Sequence, residues 1–287
     1  MHARIAGAAL TAALALLAAG CRNPLAAFHS SPPQYPSPPP VTGPSTAQPT
    51  QWVIPAASLR HLAGAGMSGG ELRSLFDNTS SYIIENGGAS YDTGGWVAHR
   101  ALKFNDETVL EQTLAAGLPA GIDTVLLDLE KWPLTPRLQQ EYPGYFYERG
   151  AAVARQHGLT YLVTPGTDLA QVLAPRAPGP AYQTMLRQYV DGFAARGASM
   201  IDIQAQSLES NPSAYLDYVR QAAAQARANQ PGIRVFADLS GSPSGSAPSP
   251  ADLSACIRSV RPYVSGYLLW VPPANAGTVA SVLRSLS

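Results

Sequence analysis

Cysteine is nearly absent: the 287-residue chain has two, Cys21 and Cys256, so no disulfide framework is expected to support the fold, and nothing points to a cysteine nucleophile. Histidine is also sparse. The five histidines are scattered, and none stands near His99 at metal-binding spacing, so no metal is expected. Charge is low and balanced, at 13% of residues with 19 basic and 19 acidic. With no basic run, nucleic acid is excluded as an expected partner. A phosphate-binding loop is missing, and no cofactor is expected.

The first 20 residues read as a secretory signal. His2 and Arg4 precede an Ala/Leu-rich core, Ile5 to Ala19, that is too short and small-residue-rich at its end for a stable membrane span. Leu17-Ala18-Ala19-Gly20-Cys21 resembles a lipobox, in which the Cys is acylated and becomes the mature N terminus. Lipidation is therefore expected at Cys21. Ala18 stands where Leu is preferred, and ordinary cleavage with secretion is the alternative. Residues 21–50 are rich in Pro and Ser and are expected to form a disordered tether. The protein is thus expected outside the cell, either anchored at Cys21 or secreted, and to meet the membrane only through that lipid. Cys256, in an expected helix Pro250–Tyr263 with Leu253, Ile257 and Val260 at helical spacing, reads as a buried inert thiol.

The body, 51–287, has the size and alternation of one (β/α)₈ barrel. Apolar runs predict strands at Trp52–Ala57, Ser80–Asn86, Trp96–Phe104, Thr124–Glu130, Leu159–Pro165, Met200–Ser207, Arg234–Ser240 and Gly266–Val271. Helices are expected between most of them. Asn211–Asn229 has a cap in Asn211, Pro212 in its first turn and an apolar stripe from Tyr215 to Ala226. Ala181–Arg196 carries Met185, Tyr189 and Phe193 at i, i+4 steps. Tyr91–Trp96 has no helical pattern, so either the second crossover is a loop or the third strand is short. Gly64–Gly70 reads as a flexible loop. An open doubly wound sheet is the alternative fold, but Ala56–Arg60 is not its Gly-rich phosphate turn. A monomer is expected.

The most informative stretch is Gly121-Ile122-Asp123-Thr124-Val125-Leu126-Leu127-Asp128-Leu129-Glu130-Lys131-Trp132. Strand alternation places Asp128 and Glu130 on one face. Two acids on one face of a buried strand need a partner, hydrogen bonds or a retained proton, and the last makes a general acid. Alternatively both lie in water or cap the next helix. In a barrel, chemistry gathers at the C-terminal strand ends. Those ends offer Glu85 and Asn86, His99 and Arg100, Asp128 and Glu130, Thr164 and Asp168, Gln204 and Gln206, Asp238 and Ser240, and Trp270. Glu130 and Asp128 are the catalytic candidates. Glu85, Trp132, Asp168, Gln204, Gln206, Asp238 and Trp270 are candidates for substrate binding, although the two amides could simply satisfy one another and Asp238 could brace the loop Gly241–Pro250.

From Trp52 to Val271 the chain resembles a group of secreted actinobacterial proteins of unassigned function, through Asp128–Pro136, Thr164–Leu169, Asp202–Ser207 and Gly266–Pro272. More loosely it resembles the chitinase and endo-β-N-acetylglucosaminidase family, whose fourth strand ends in D-x-x-D-x-D-x-E. Glu130 takes the place of the proton-donating Glu, Asp128 that of the Asp orienting the acetamido group, and Asp123 the first Asp. Leu126 replaces the middle Asp, which in that family helps the last Asp reorient. Gly121–Asp128 is also similar to the G-F-D-G-V-F-L-D run of endo-polygalactosaminidase-like barrels. The resemblances imply a glycoside hydrolase acting on an amino-sugar-containing glycan. Two alternatives stand beside it: a non-catalytic glycan-binding barrel, with Trp96, Trp132, Tyr142, Tyr145, Tyr147 and Trp270 for stacking, and a hydrolase or lyase of another class.

Overall fold

The structure is a computed structural model that describes residues 50–86, 91–241 and 247–286. The signal, Cys21 and nearly all of the Pro/Ser-rich linker lie outside the described residues, as does the middle of the loop Gly241–Pro250. In chain order the elements are β1 (Gln51–Pro55), α1 (Ala56–Gly64), α2 (Gly69–Phe76), β2 (Tyr82–Ile84), β3 (His99–Phe104), α3 (Glu107–Ala116) and β4 (Thr124–Leu129). They continue with α4 (Arg137–Glu141), α5 (Pro143–Gln156), β5 (Thr160–Pro165), α6 (Ala170–Leu173), α7 (Ala181–Gln188), α8 (Val190–Ala194) and β6 (Met200–Ile203). The last five are α9 (Pro212–Asn229), β7 (Arg234–Leu239), α10 (Pro250–Val260), β8 (Gly266–Leu269) and α11 (Ala276–Leu286).

Each strand pairs in parallel with the next, and β8 pairs with β1 through Gln51↔Gly266, Trp52↔Tyr267 and Val53↔Leu268. That pairing closes a (β/α)₈ barrel and excludes the open sheet. Closure demands a bare backbone at the start of β8: a Cβ on Gly266 would sit 2.1 Å from the carbonyl oxygen of Gln51. Between β2 and β3 the described residues form no helix, so the second crossover is the loop.

Alternation divides the strand side chains into two sets. Val125, Leu127 and Leu129 of β4 join the outer core beneath the helices, whereas Leu126 points inward. Inside, Val53, Tyr82, Ile84, Ala101, Leu126, Leu162, Met200, Phe236 and Leu268 fill the barrel with apolar bulk. Of the inward positions that follow toward the C-terminal ends, Lys103, Asp128, Thr164, Asp202, Gln204 and Asp238 are polar. The apolar plug is therefore a floor, and the polar set stands on it.

Local chemistry accounts for the helices. Asn211 caps α9, its side-chain oxygen accepting from the Ala214 N–H at 3.2 Å, and Tyr215, Val219, Ala222, Ala223 and Ala226 are buried. Ser68 and Glu71 close a capping box on α2, so Gly69 and Gly70 form its first turn rather than part of a flexible loop. The expected helix Ala181–Arg196 is two pieces. Tyr189 adopts φ 56°, a left-handed conformation that costs an aromatic residue about 1–3 kcal/mol. Its ring crosses Gly192, where a Cβ would lie 2.1 Å away, and its hydroxyl accepts from Asn229 at 2.9 Å and donates to the Gln225 carbonyl. The break ties this crossover to α9.

Candidate active site

Asp128 is almost completely buried at the end of β4, and three side chains hold its carboxylate. The Lys103 ammonium lies 2.5 Å from Oδ2, while Oδ1 accepts from Thr164 Oγ1 at 2.8 Å and Gln204 Nε2 at 3.0 Å. Lys103, from β3, Thr164, from β5, and Gln204, just past β6, therefore converge on one acid from three directions.

Glu130, one residue past β4, has a different environment. Gln204 Nε2 also donates to its Oε1 at 3.2 Å, so one amide bridges the two acids. Burial first, and the charge of Asp128 second, push the Glu130 carboxyl up from 4.5 to about 7, against the opposing Gln204 hydrogen bond and the Lys103 charge. Gly166 makes the space for it: a Cβ there would come within 2.6 Å of Glu130 Cγ and 2.8 Å of Asp168 Oδ1. Asp168 accepts from the Lys131 N–H at 2.9 Å, tying the loop after β5 to the loop after β4, and burial raises its carboxyl.

Two tryptophans flank the cation. Lys103 Nζ lies 5.3 Å from the ring centroids of both Trp132 and Trp270. Trp132 is fixed by its indole N–H, which donates to Thr135 Oγ1 at 2.8 Å, and Trp270 leaves 44% of its surface open. Burial alone would lower the Lys103 amine, but the carboxylates of Asp128, Glu130 and Asp238 outweigh it and raise the group. It is a fixed ammonium, not an amine nucleophile.

Beneath and beside this pair stand two further acids. Asp202 on β6 has no hydrogen-bond partner for either carboxyl oxygen among the described residues, nor does Oδ1 of Asp238 on β7. Burial, then their mutual repulsion for Asp202 and the charge of Glu209 for Asp238, holds both far above the usual carboxylate range. Glu209, just after β6, accepts from the Ser240 and Gly241 N–H groups at 2.5 and 3.0 Å and fixes the end of β7. Among the described residues no group of three or more His, Cys, Asp or Glu side chains is arranged to hold a metal ion.

The structure brings together Asp128, Glu130, Trp132, Asp168, Gln204, Asp238 and Trp270, and it moves several other expected residues away. Glu85 follows β2 on the outward side, where Arg100 Nε binds its Oε1 at 2.8 Å. β6 ends at Ile203, so alternation does not carry to Gln206, which begins a 3₁₀ turn through Leu208. His99 and Arg100 open β3 rather than close it, and His99 Nδ1 lies 2.6 Å from Asp123 at the opposite end of the barrel. Tyr147 is wholly buried, its hydroxyl accepting from the Leu129 N–H at 3.2 Å, and it offers no stacking face. Lys103 and Asp202 were not among the candidates. Both follow from alternation once Ala101 and Met200 are placed inward.

No family model matches the chain, and no curated protein matches it in sequence. Solved structures do match. A GH18 chitinase from Pseudoalteromonas aurantia superposes with TM-score 0.51 at 9% identity, covering 83% of this chain and 98% of that one. The spore cortex-lytic enzyme SleL of Bacillus megaterium gives 0.51 at 8%, covering 84% and 75%. Triosephosphate isomerase from Bartonella henselae gives 0.47 at 13%, covering 83% and 100%. The likeness is one of fold. Function has to be argued from the residues at the barrel mouth.

Proposed function

We propose that the protein is a glycoside hydrolase-like barrel that cleaves an amino-sugar-containing glycan, with Glu130 as the general acid and Asp128 as the ionised partner that stabilises positive charge developing on the sugar. One observation carries this reading: two carboxyls of one strand end share a bridging amide, yet Asp128 lies against the Lys103 ammonium at 2.5 Å while burial and the charge of Asp128 push the Glu130 carboxyl up to about 7. Glycoside cleavage needs such a division between a protonated and an ionised acid. The rings of Trp132 and Trp270, both beside Lys103, supply the aromatic surface that sugars stack on, and Gln204 supplies an amide at the same place.

The amino-sugar assignment rests on the sequence resemblances to chitinases and polygalactosaminidase-like barrels. The names of the structural neighbours, a chitinase and a spore cortex-lytic enzyme, agree with it. Leu126, which replaces the family's middle acid, is part of the apolar floor. Asp128 is accordingly held by donors on both oxygens instead of swinging between two positions, so its part is electrostatic. We place the protein at the cell surface, as a monomer tethered through lipid at Cys21 or as a secreted form, on the sequence alone.

A second reading, a barrel that binds glycan without cleaving it, draws on the same observation: both Asp128 oxygens are already satisfied by protein donors. Glu130→Gln separates the two. For a hydrolase, a panel of chitin, peptidoglycan and galactosaminoglycan fragments is expected to be bound by the variant while product release falls by at least about 100-fold. Release at the parent rate would remove Glu130 as the acid. Binding by both proteins with release by neither would select the binder.

A further inference from the structure

We propose that Thr135 is a positioning residue whose hydroxyl holds Glu130 and the ring of Trp132 in one fixed relation, so that a sugar stacked on that ring is presented to the acid. The inference rests on the hydrolase reading for its use in catalysis, but the positioning itself can be read without turnover. Strand pairing on β4 ends at Leu129, whose carbonyl accepts from the Gly166 N–H at 3.0 Å. Glu130 is the first residue beyond that ladder, and a side chain takes its N–H: it donates to Thr135 Oγ1 at 3.3 Å. The same oxygen accepts from the Trp132 indole N–H at 2.8 Å and donates its own proton to the Asn105 carbonyl, between β3 and α3, at 3.0 Å. A hydroxyl has one donor and two acceptor positions. All three are used here, and Thr135 is only 2% exposed, so bulk water does not compete for them.

The path of the turn has other supports. The Trp132 N–H donates to the Glu130 carbonyl at 3.0 Å and the Thr135 N–H to the Trp132 carbonyl at 3.3 Å. Buried Gln140 adds two more bonds, its Nε2 donating to the carbonyls of Trp132 at 3.0 Å and Thr135 at 2.7 Å. Lys131, between the acid and the ring, has its own ties, its N–H to Asp168 Oδ1 and its Nζ to Gln171 Oε1 at 2.6 Å. What the Thr135 hydroxyl adds is the direct link between the acid and the ring. Gln204 holds the Glu130 carboxyl from the barrel side, and Thr135 holds its backbone from the loop side. Without that link the two can shift independently, and a misplacement of about 1 Å costs a reaction about 100-fold.

The test compares the parent with Thr135→Val, which keeps the shape and removes the hydroxyl, and Thr135→Ser, which keeps the hydroxyl. Hydrogen exchange of the Glu130 amide and the Trp132 indole N–H, followed by nitrogen-resolved NMR, reads the positioning. The kcat and KM for chitin, peptidoglycan and galactosaminoglycan fragments, per folded molecule, read its use. In Thr135→Val both N–H groups lose their acceptor and are expected to exchange at least about 10-fold faster, while kcat falls by about 10–100-fold. Thr135→Ser is expected to keep the parent exchange and the parent kcat. A Thr135→Val protein that is merely less stable, with parent exchange at both groups or the parent kcat per folded molecule, overturns the proposal. If that variant does not fold, the parent decides: the Trp132 indole N–H must exchange more slowly than that of Trp270, which is 44% exposed, and equal rates overturn it. A protein that cleaves no glycan but shows the faster exchange in Thr135→Val loses the hydrolase reading and keeps this one. One that cleaves glycan, with Thr135→Val exchanging and turning over like the parent, does the reverse.

Discussion

The raised Glu130 carboxyl has a stability consequence that can be worked out and measured. Below pH 4.5 the residue is protonated in folded and unfolded chains alike and contributes no pH dependence. Between 4.5 and about 7 the unfolded chain ionises it while the folded chain holds the proton, so stability falls with rising pH by about 1.4 kcal/mol per unit. Above about 7 both forms are ionised and the loss levels off at about 3 kcal/mol. Glu130→Gln removes this titration and retains an oxygen that can accept from Gln204. Other buried acids, among them Asp191 and Glu209, both raised by burial to about 7, bend the curve of either protein in the same way. The informative quantity is therefore the difference between them. Urea unfolding of both proteins at 25 °C from pH 4 to 8, analysed by linear extrapolation, is expected to show the variant gaining about 3 kcal/mol on the parent across that range. Parallel curves would mean that Glu130 ionises as an ordinary surface acid. The division of labour between it and Asp128 would then be wrong.

Three further outcomes follow from the geometry. Gly166→Ala places a methyl 2.6 Å from Glu130 Cγ, so any cleavage should fall by about 100-fold while urea stability changes by about 1–3 kcal/mol; full activity would show that Glu130 need not sit there. Cys256 is wholly buried and burial raises its thiol to about 12, so thiol reagents at pH 8 should label it only in denaturant, and rapid native labelling would contradict the packing of α10. Asn211→Ala removes the cap of α9 and should cost about 1 kcal/mol of unfolding free energy, with no loss predicting that water replaces the cap freely.

The barrel was legible because its evidence is local and repeated. Each of the eight expected runs overlaps a strand of three to six residues, and Asn211-Pro212 marked the start of α9 through a cap that depends only on neighbours. Asp128 and Glu130 were legible because two acids at the end of an apolar run are costly unless used. Lys103 was missed although the expected third strand ended correctly at Phe104: His99 and Arg100 were counted with the strand ends, whereas they open β3. The break at Tyr189 has no local signal: it depends on Gly192 and Asn229, the latter 40 residues away. Glu85 was misplaced because it follows β2 on the outward side, where Arg100 binds it, and Gln206 lies not on a strand but at the start of the 3₁₀ turn after β6.

The most direct test of the central claim is cleavage itself as a function of pH. Chitin, peptidoglycan and galactosaminoglycan fragments incubated with the protein from pH 4 to 9 should release reducing ends along a bell whose alkaline limb falls near pH 7, a limb belonging to the coupled pair of acids and absent in Glu130→Gln. Binding of these glycans with no release at any pH, or release whose alkaline limb is unchanged in Glu130→Gln, would contradict the assignment of Glu130 as the proton donor.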